Sequence, residues 1–574
     1  MSVCLGKKLN YFLDSAFYTA TFLISLFIVI KVIIYCGYGF DYTDESFYLI
    51  WMSNPFIYKA SLSQFGFIYH PIYKLLNGDI TQLRQLNVLM IFFLSTVLSY
   101  LILDVIYKEK IKLITNLFYS LVLSAFSISY LIFGLTTPSY NSLNFQGLLL
   151  TSIGLLLTCK DKKKSILGWI LIGVGGSLTF MAKPSSALLL GALVVIFNLR
   201  SLRFNLREIS ISLITFVAFL LLSSIIIDGS IINFFHRYQN GFIDSTALLG
   251  NNFGFSVFRY DPLHLNKEML FTIILLLVCT VCSIRLLSSH NNKYNNYGKL
   301  LILLLIFINV FITLGYLKND FILSLFENVF FLTGDFSNLI VLLIMPLAIL
   351  VYSLGNLLDQ GDFSSQHKSL ALFFLLLPFV FAFGTNVNYW WMACSVPVFW
   401  LFSLLIFFSF YIKRCNDDFF LMVPIIISSQ LITLVKINNS IDYPYRQPSL
   451  LAIKSEKVNI RNSSLILSSY HAHNIIKWKE LAKKVGFNKG TPLIDLTGYS
   501  PGIAYILGAE SIGQPWMFST YKGSEAYVYN SLLSVKCSKL AKAWLLKADG
   551  AYPSKLPTKF LYKSGIDFDN NYQL

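Results

Sequence analysis

Charge is scarce in this chain. Only 13% of its 574 residues are charged, against 55% that are hydrophobic. A water-soluble fold of this length has too little interior to hide so much apolar surface, so a soluble globular protein is excluded. Acid is scarcer than base: 29 Asp and Glu stand against 45 Lys and Arg, a net charge of +16. The basic surplus does not read as a nucleic-acid footprint, because it sits mostly in short loops between apolar runs. The 8 cysteines and 7 histidines are scattered. Cys279 and Cys282 form a lone CxxC inside an apolar run and lack the second pair that a metal site needs. Only Cys537 lies well inside the polar C-terminal segment, so no internal disulfide is expected there. Internal repeats and low-complexity stretches are also lacking.

What is present is a series of nearly uncharged runs, several of them about 18 residues or longer and so of a length that crosses a bilayer. They predict thirteen membrane-spanning helices near 15–36, 87–107, 113–134, 143–158, 165–182, 184–199, 209–227, 269–287, 299–317, 336–354, 370–384, 392–411 and 419–436. The first begins too far inside the chain, and is too long, for a cleaved signal peptide. The loops "YKEKIK", "CKDKKK" and "NLRSLRFNLR" fall on the side of Lys7 and Lys8, which predicts a cytoplasmic N-terminus. The opposite face receives the long segments 37–86, 228–268 and 318–335 and the tail 437–574. The expected fold is therefore a polytopic α-helical domain over 1–436, with a first outer loop 37–86, and a small soluble α/β domain over 437–574 outside the membrane. Within the tail, "SLILSSYHAH" predicts a strand and a turn, "NIIKWKELAKKVGF" a helix, "TPLIDLTGY" a strand, and "SPGIAYILGA" a helix opened by Pro501.

The stretch "DYTDESFYLIW", Asp41–Trp51, stands out against this background because it places Asp41, Asp44 and Glu45 directly after the first apolar run. Phe47, Tyr48 and Trp51 follow at helical spacing. The remainder of the loop is apolar and aromatic with Lys59 and Lys74, which predicts helices lying in the interface plane. Carboxylates in such a cleft are partly desolvated and suited to proton transfer. A solvated loop is the plain alternative.

A long first outer loop that opens on an Asp-Glu pair resembles the GT-C superfamily, polytopic glycosyltransferases such as protein O-mannosyltransferases and lipid A aminoarabinose transferases. The match here is "TDESFYL" at 43–49, with weaker echoes in "LRQLNVL" at 83–89, "TTPSYNSLN" at 136–144, "MAKPSSALL" at 181–189 and "FGTNVN" at 383–388. The resemblance implies an integral, multi-pass protein of a bacterial inner membrane with its active site on the outer face. It implies a polyprenyl-phosphate sugar donor, a lipid, glycan or protein acceptor, Asp44 as the base, and Glu45 positioning the acceptor or adjoining helices. Such chemistry needs cations for the leaving phosphate, and the candidates are Arg84, Lys183, His236, Arg237 and Arg259. Asn386 in "FGTNVNYWW" offers an amide to sugar hydroxyls, beside Trp390 and Trp391, which an interfacial aromatic belt also explains. No cofactor is expected and a divalent metal is left open without being indicated; the short loop at 135–142 carries no DxD, which argues against the metal-dependent oligosaccharyltransferase branch. A transporter or flippase of lipid-linked sugars, or an O-antigen ligase or polymerase, is the competing class.

Overall fold

The computed structural model describes residues 2–107, 112–130, 135–158, 162–200, 206–249, 267–287, 365–414, 418–519 and 521–547, with isolated positions between them. Arg259 and nearly all of the expected spans 299–317 and 336–354 lie outside the described residues.

The protein is mostly helical, with small sheets near the C-terminus. The apolar runs form α1 (Ser2–Tyr35), α4 (Ile80–Tyr107), α5 (Leu113–Ser124), α6 (Tyr140–Leu157), α7 (Lys162–Ala182), α8 (Pro184–Arg200), α9 (Leu206–Asp228), α11 (Lys267–Leu287), α12 (Ser365–Ala382), α14 (Val398–Arg414) and α15 (Asp418–Asp442). Among the described residues, five segments are long and apolar enough to cross a membrane: Ala16–Tyr35, Ile80–Tyr107, Leu113–Tyr130, Lys163–Ala182 and Leu206–Asp228. They mark a membrane protein. In α9, Leu213, Ile214, Leu222, Ile225 and Ile226 are exposed, the arrangement a lipid-facing helix needs. α6 and α7 instead meet backbone to backbone. A Cβ on Gly147 would stand 2.8 Å from the Gly175 carbonyl, so only glycine permits this approach.

Sequence punctuation explains the breaks. Pro184 cannot donate to the preceding turn, so α7 stops and α8 restarts across Lys183. The segment between α1 and α4 holds α2 (Asp44–Ser53), a 3₁₀ turn (Pro55–Ile57) and α3 (Phe65–Leu75). α2 ends because Asn54 precedes Pro55, which disfavours helical backbone at Asn54. Several boundaries shift from expectation: α1 begins at Ser2 rather than 15, α4 at Ile80 rather than 87 and α12 at Ser365 rather than 370, the span expected over 392–411 divides into α13 (Tyr389–Ala393) and α14, and α15 runs on to Asp442, past 436.

Beyond α15 the chain forms an antiparallel hairpin, β1 (Ser455–Ile460) and β2 (Ser463–Ser468), then α16 (Ser469–Lys484), β3 (Pro492–Asp495), α17 (Pro501–Leu507), β4 (Glu510–Ser511), α18 (Ser524–Leu533) and β5 (Trp544–Leu546). β3 is central and pairs in parallel with β4 and β5. The "HAH" at 471–473, expected as a surface turn, lies in the first turn of α16. Ser468 caps that helix by accepting from the His471 N–H at 3.5 Å, so the helix starts five residues earlier than its apolar spacing indicates.

The C-terminal segment is not a free appendage. Its hairpin adds to the chain just after α1, where Gly39 N–H donates to Ile466 O and Ile466 N–H to Gly37 O, both at 2.9 Å. Tyr58 Oη donates to Ser511 O at 3.0 Å. Phe40, Leu49, Tyr58 and Phe65, between α1 and α4, share one buried core with Val458, Leu465, Leu493 and Tyr505. That shared core holds the stretch 41–51 between the helical bundle and the C-terminal segment.

Candidate functional site

The three acids at the start of α2 receive different environments. Asp41 is fully buried. Its carboxylate accepts from the Thr43 N–H at 3.2 Å, from Thr43 Oγ1 at 2.8 and 2.9 Å, and from the Glu45 N–H at 3.1 Å. It therefore satisfies orphan N–H groups at the head of α2, from a position before the helix. Burial pushes its pKa up to about 7, against the pull of those hydrogen bonds.

Glu45 is also fully buried. Its carboxylate takes a bidentate pair from Arg84, with Nε to Oε1 at 2.8 Å and Nη2 to Oε2 at 2.7 Å. Thr137 Oγ1 donates to the same carboxylate, and the Asp41 N–H reaches Oε2 at 3.1 Å. Arg84 spends its other donors on the carbonyls of Cys36, Tyr38 and Gly39 at 2.8–3.0 Å. All five guanidinium N–H groups are thereby engaged. The pair is a knot that ties α1, α2, α4 and the chain before α6 together.

Asp44 alone among the three opens to solvent, with its side chain 26% exposed. It sits in the first turn of α2, where the helix dipole favours an anion. Arg446 Nη1 lies 3.9 Å from Asp44 Oδ2, and the Arg446 side chain is 50% exposed. Burial raises the Asp44 pKa, while Arg446 and a hydrogen bond with Tyr445 act to lower it. Arg446 stacks on Tyr445 at 4.6 Å and has a φ of 52°, the left-handed region that non-glycine residues seldom occupy. The tail reaches this point directly. Gly502 N–H donates to Tyr42 O at 2.8 Å, and a Cβ on Gly502 would stand 2.7 Å from Tyr42 Cα.

The other sequence-derived candidates fall elsewhere. Arg84, expected near a phosphate, is inside the knot instead. Arg237 is 1% exposed and bound to Asp228, with Nε to Oδ2 at 2.7 Å and Nη2 to Oδ1 at 2.6 Å. It also donates to Tyr58 O, and it packs on the Phe67 ring at 4.9 Å. It holds α10 (Ile231–Leu249) to the end of α9 and to the segment between α1 and α4. Lys183 Nζ lies 3.3 Å from Phe381 O and 3.4 Å from Ala382 O, a cation on the last carbonyls of α12. His236 is exposed on α10 with Gln239 Oε1 at 3.1 Å, and Asn386 is exposed in the turn after α12. So Asp44, Glu45 and Arg84 come together, but Lys183, His236 and Arg237 do not join them.

Arg446 and Tyr445 were missed. They lie about 400 residues along the chain from Asp44, and only the turn after α15 brings them to it. "DYPYRQP" at 442–448 reads as an ordinary polar turn. No group of three or more His, Cys, Asp or Glu able to hold a metal occurs among the described residues. No protein-family model and no curated protein matches the chain.

Proposed function

We propose that the protein is a membrane glycosyltransferase. It transfers a sugar from a polyprenyl-phosphate-linked donor to a lipid, polysaccharide or protein acceptor at the outer face of the membrane. The observation that carries this reading is the single open carboxylate, Asp44, set beside its locked neighbour Glu45 and facing Arg446. The resemblance of "TDESFYL" to GT-C enzymes supports it. Asp44 removes the proton from the acceptor hydroxyl, and that oxygen attacks the anomeric carbon opposite the lipid phosphate. The carbon–phosphate oxygen bond breaks, the configuration inverts, and the phosphate leaves with its negative charge. Arg446 is the cation placed to stabilise that charge. Glu45 does not touch substrate in this scheme. It fixes α2 through Arg84 and so aims its neighbour.

The same reading takes the thirteen expected spans, with the N-terminus in the cytoplasm and the C-terminal segment outside. Reporter fusions after Lys164 and after Leu574 then report opposite faces. Mass spectrometry of cell-envelope glycans with and without the chain tests the activity. The expected result is one glycan modification that depends on the wild-type chain and disappears with Asp44→Asn. An unchanged glycan profile in cells lacking the chain overturns the assignment.

A further inference from the structure

A second cleft opens at the far end of α2. It holds about 360 Å³ and lies between the end of that helix, with its 3₁₀ turn, and the C-terminal segment. The helix has 10 residues, so the cleft lies about 14 Å from Asp44 at roughly 1.5 Å per residue.

Its wall mixes apolar and polar groups, and the polar ones are only partly satisfied by the protein. Arg461 occupies the first position of the two-residue turn between β1 and β2, with a φ of 51°. Hairpins of that length favour glycine or asparagine at positive φ, so an arginine there is held against its backbone preference. Its guanidinium stacks on the Tyr505 ring at 4.0 Å and donates from Nε to Tyr505 O at 2.7 Å. Nη1 also reaches Tyr73 Oη at 3.5 Å. The plane is thus fixed while most of an arginine's five donors stay free for a ligand. Asn77, on the other lip, also has positive φ, at 52°, and its carbonyl accepts from Asn462 Nδ2 at 2.7 Å. Among the described residues three non-glycine positions have positive φ. Two line this cleft and the third, Arg446, faces Asp44. Strained backbone of this kind collects at ligand clamps.

Charge decides the ligand class. Lys489 adds an exposed amine to the wall. Glu510, the acid on the wall, is paired with Lys539. The cleft is therefore net cationic. The half-buried Tyr73 ring and the exposed Asn54 amide add aromatic and amide surface of the kind that sugar rings and hydroxyls require.

We propose that this cleft binds an oligosaccharide bearing phosphate or carboxylate groups. Its role as the acceptor chain, presented to Asp44 along α2, rests on the glycosyltransferase reading; the binding does not. The test applies the purified full chain, in lipid nanodiscs, to a printed array of neutral and anionic oligosaccharides. Anionic members bind above the neutral ones, and binding weakens at high salt. Lys489→Glu, at an exposed position that leaves folding intact, weakens binding by about tenfold or more, as expected for a lost charge-assisted contact and an added repulsion. Asp44→Asn binds like the parent. Equal retention of anionic and neutral glycans overturns the proposal, as does a Lys489→Glu protein that binds unchanged. Binding without sugar transfer keeps the cleft and removes the enzyme; transfer without binding does the reverse.

Discussion

Two adjacent acids of α2 each meet an arginine, and the two pairs are unlike. Glu45 and Arg84 are buried, bidentate and saturated, with contacts at 2.7 and 2.8 Å. Asp44 and Arg446 are 3.9 Å apart and open to solvent on both sides. A buried pair with every donor engaged is fixed, because breaking it strands a charge in a medium that cannot solvate it. An open pair at that distance contributes little to stability, about 0–1 kcal/mol, and can exchange its partner for a ligand. Carboxylate–arginine pairs therefore serve architecture on one side of the helix and, in the proposed function, chemistry on the other.

The comparison breaks most visibly on the buried side. Arg84→Ala leaves Glu45 without its cation and is expected to cost about 3–5 kcal/mol, enough to abolish accumulation of folded protein. A double replacement of Glu45 and Arg84 by methionine recovers part of that loss, as read by thermal unfolding of the detergent-solubilised protein. If the single variant melts like the parent, the knot is not structural.

Arg446→Ala acts on the other pair. Losing one charge-assisted contact to a departing phosphate is worth about 1.5–3 kcal/mol, or roughly a 10–100-fold slower transfer. The melting temperature stays near the parental value because Arg446 is half exposed. A loss of stability with undiminished transfer would place Arg446 in the scaffold instead.

A pH effect follows from Asp244 in α10, which accepts from Gln514 Nε2 at 3.2 Å and so ties α10 to the C-terminal segment. Burial pushes its pKa up to about 6, above the roughly 3.9 of an unfolded chain. The folded protein then holds a proton that the unfolded chain has released. This contribution is fully present below about pH 4 and is lost as the pH rises to about 6, by the order of 1–2 kcal/mol. Asp244→Asn should flatten that slope in denaturation curves taken across the window; an unaltered slope assigns it to other groups. At the small end, His236→Ala on an exposed face should change stability by no more than about 0.5 kcal/mol and leave transfer unaltered.

Much of the helical architecture was legible because apolar runs state their own length. The breaks at Pro184 and Pro55 were written in single residues. α16 was harder: its first turn, Ser469–His473, is polar, and the signal for its start is the Ser468 cap rather than apolar periodicity. β4 and β5 are two and three residues long and gain their identity only by pairing with β3. At the site, sequence order singled out Asp44 and Glu45, and the resemblance assigned them the roles of base and positioner, but the arginine that each acid meets was not legible. Arg84 read as a candidate cation for the leaving phosphate because nothing local reveals that three carbonyls and a glutamate converge on it. The pairing of Arg237 was hidden in the same way, since Asp228 stands nine residues earlier on another helix. Cation function depends on what already occupies the charge, and that is a long-range property.

The most direct measurement compares Asp44→Asn with Glu45→Gln as purified proteins, each assayed for sugar transfer and for thermal unfolding. Asp44→Asn should melt like the parent and transfer about 100-fold more slowly or worse, the usual range for loss of a general base. Glu45→Gln should melt several degrees lower, because a neutral amide leaves the buried Arg84 charge unpaired. An Asp44→Asn protein with parental transfer, or a Glu45→Gln protein with parental stability, would contradict the division of labour between the two acids.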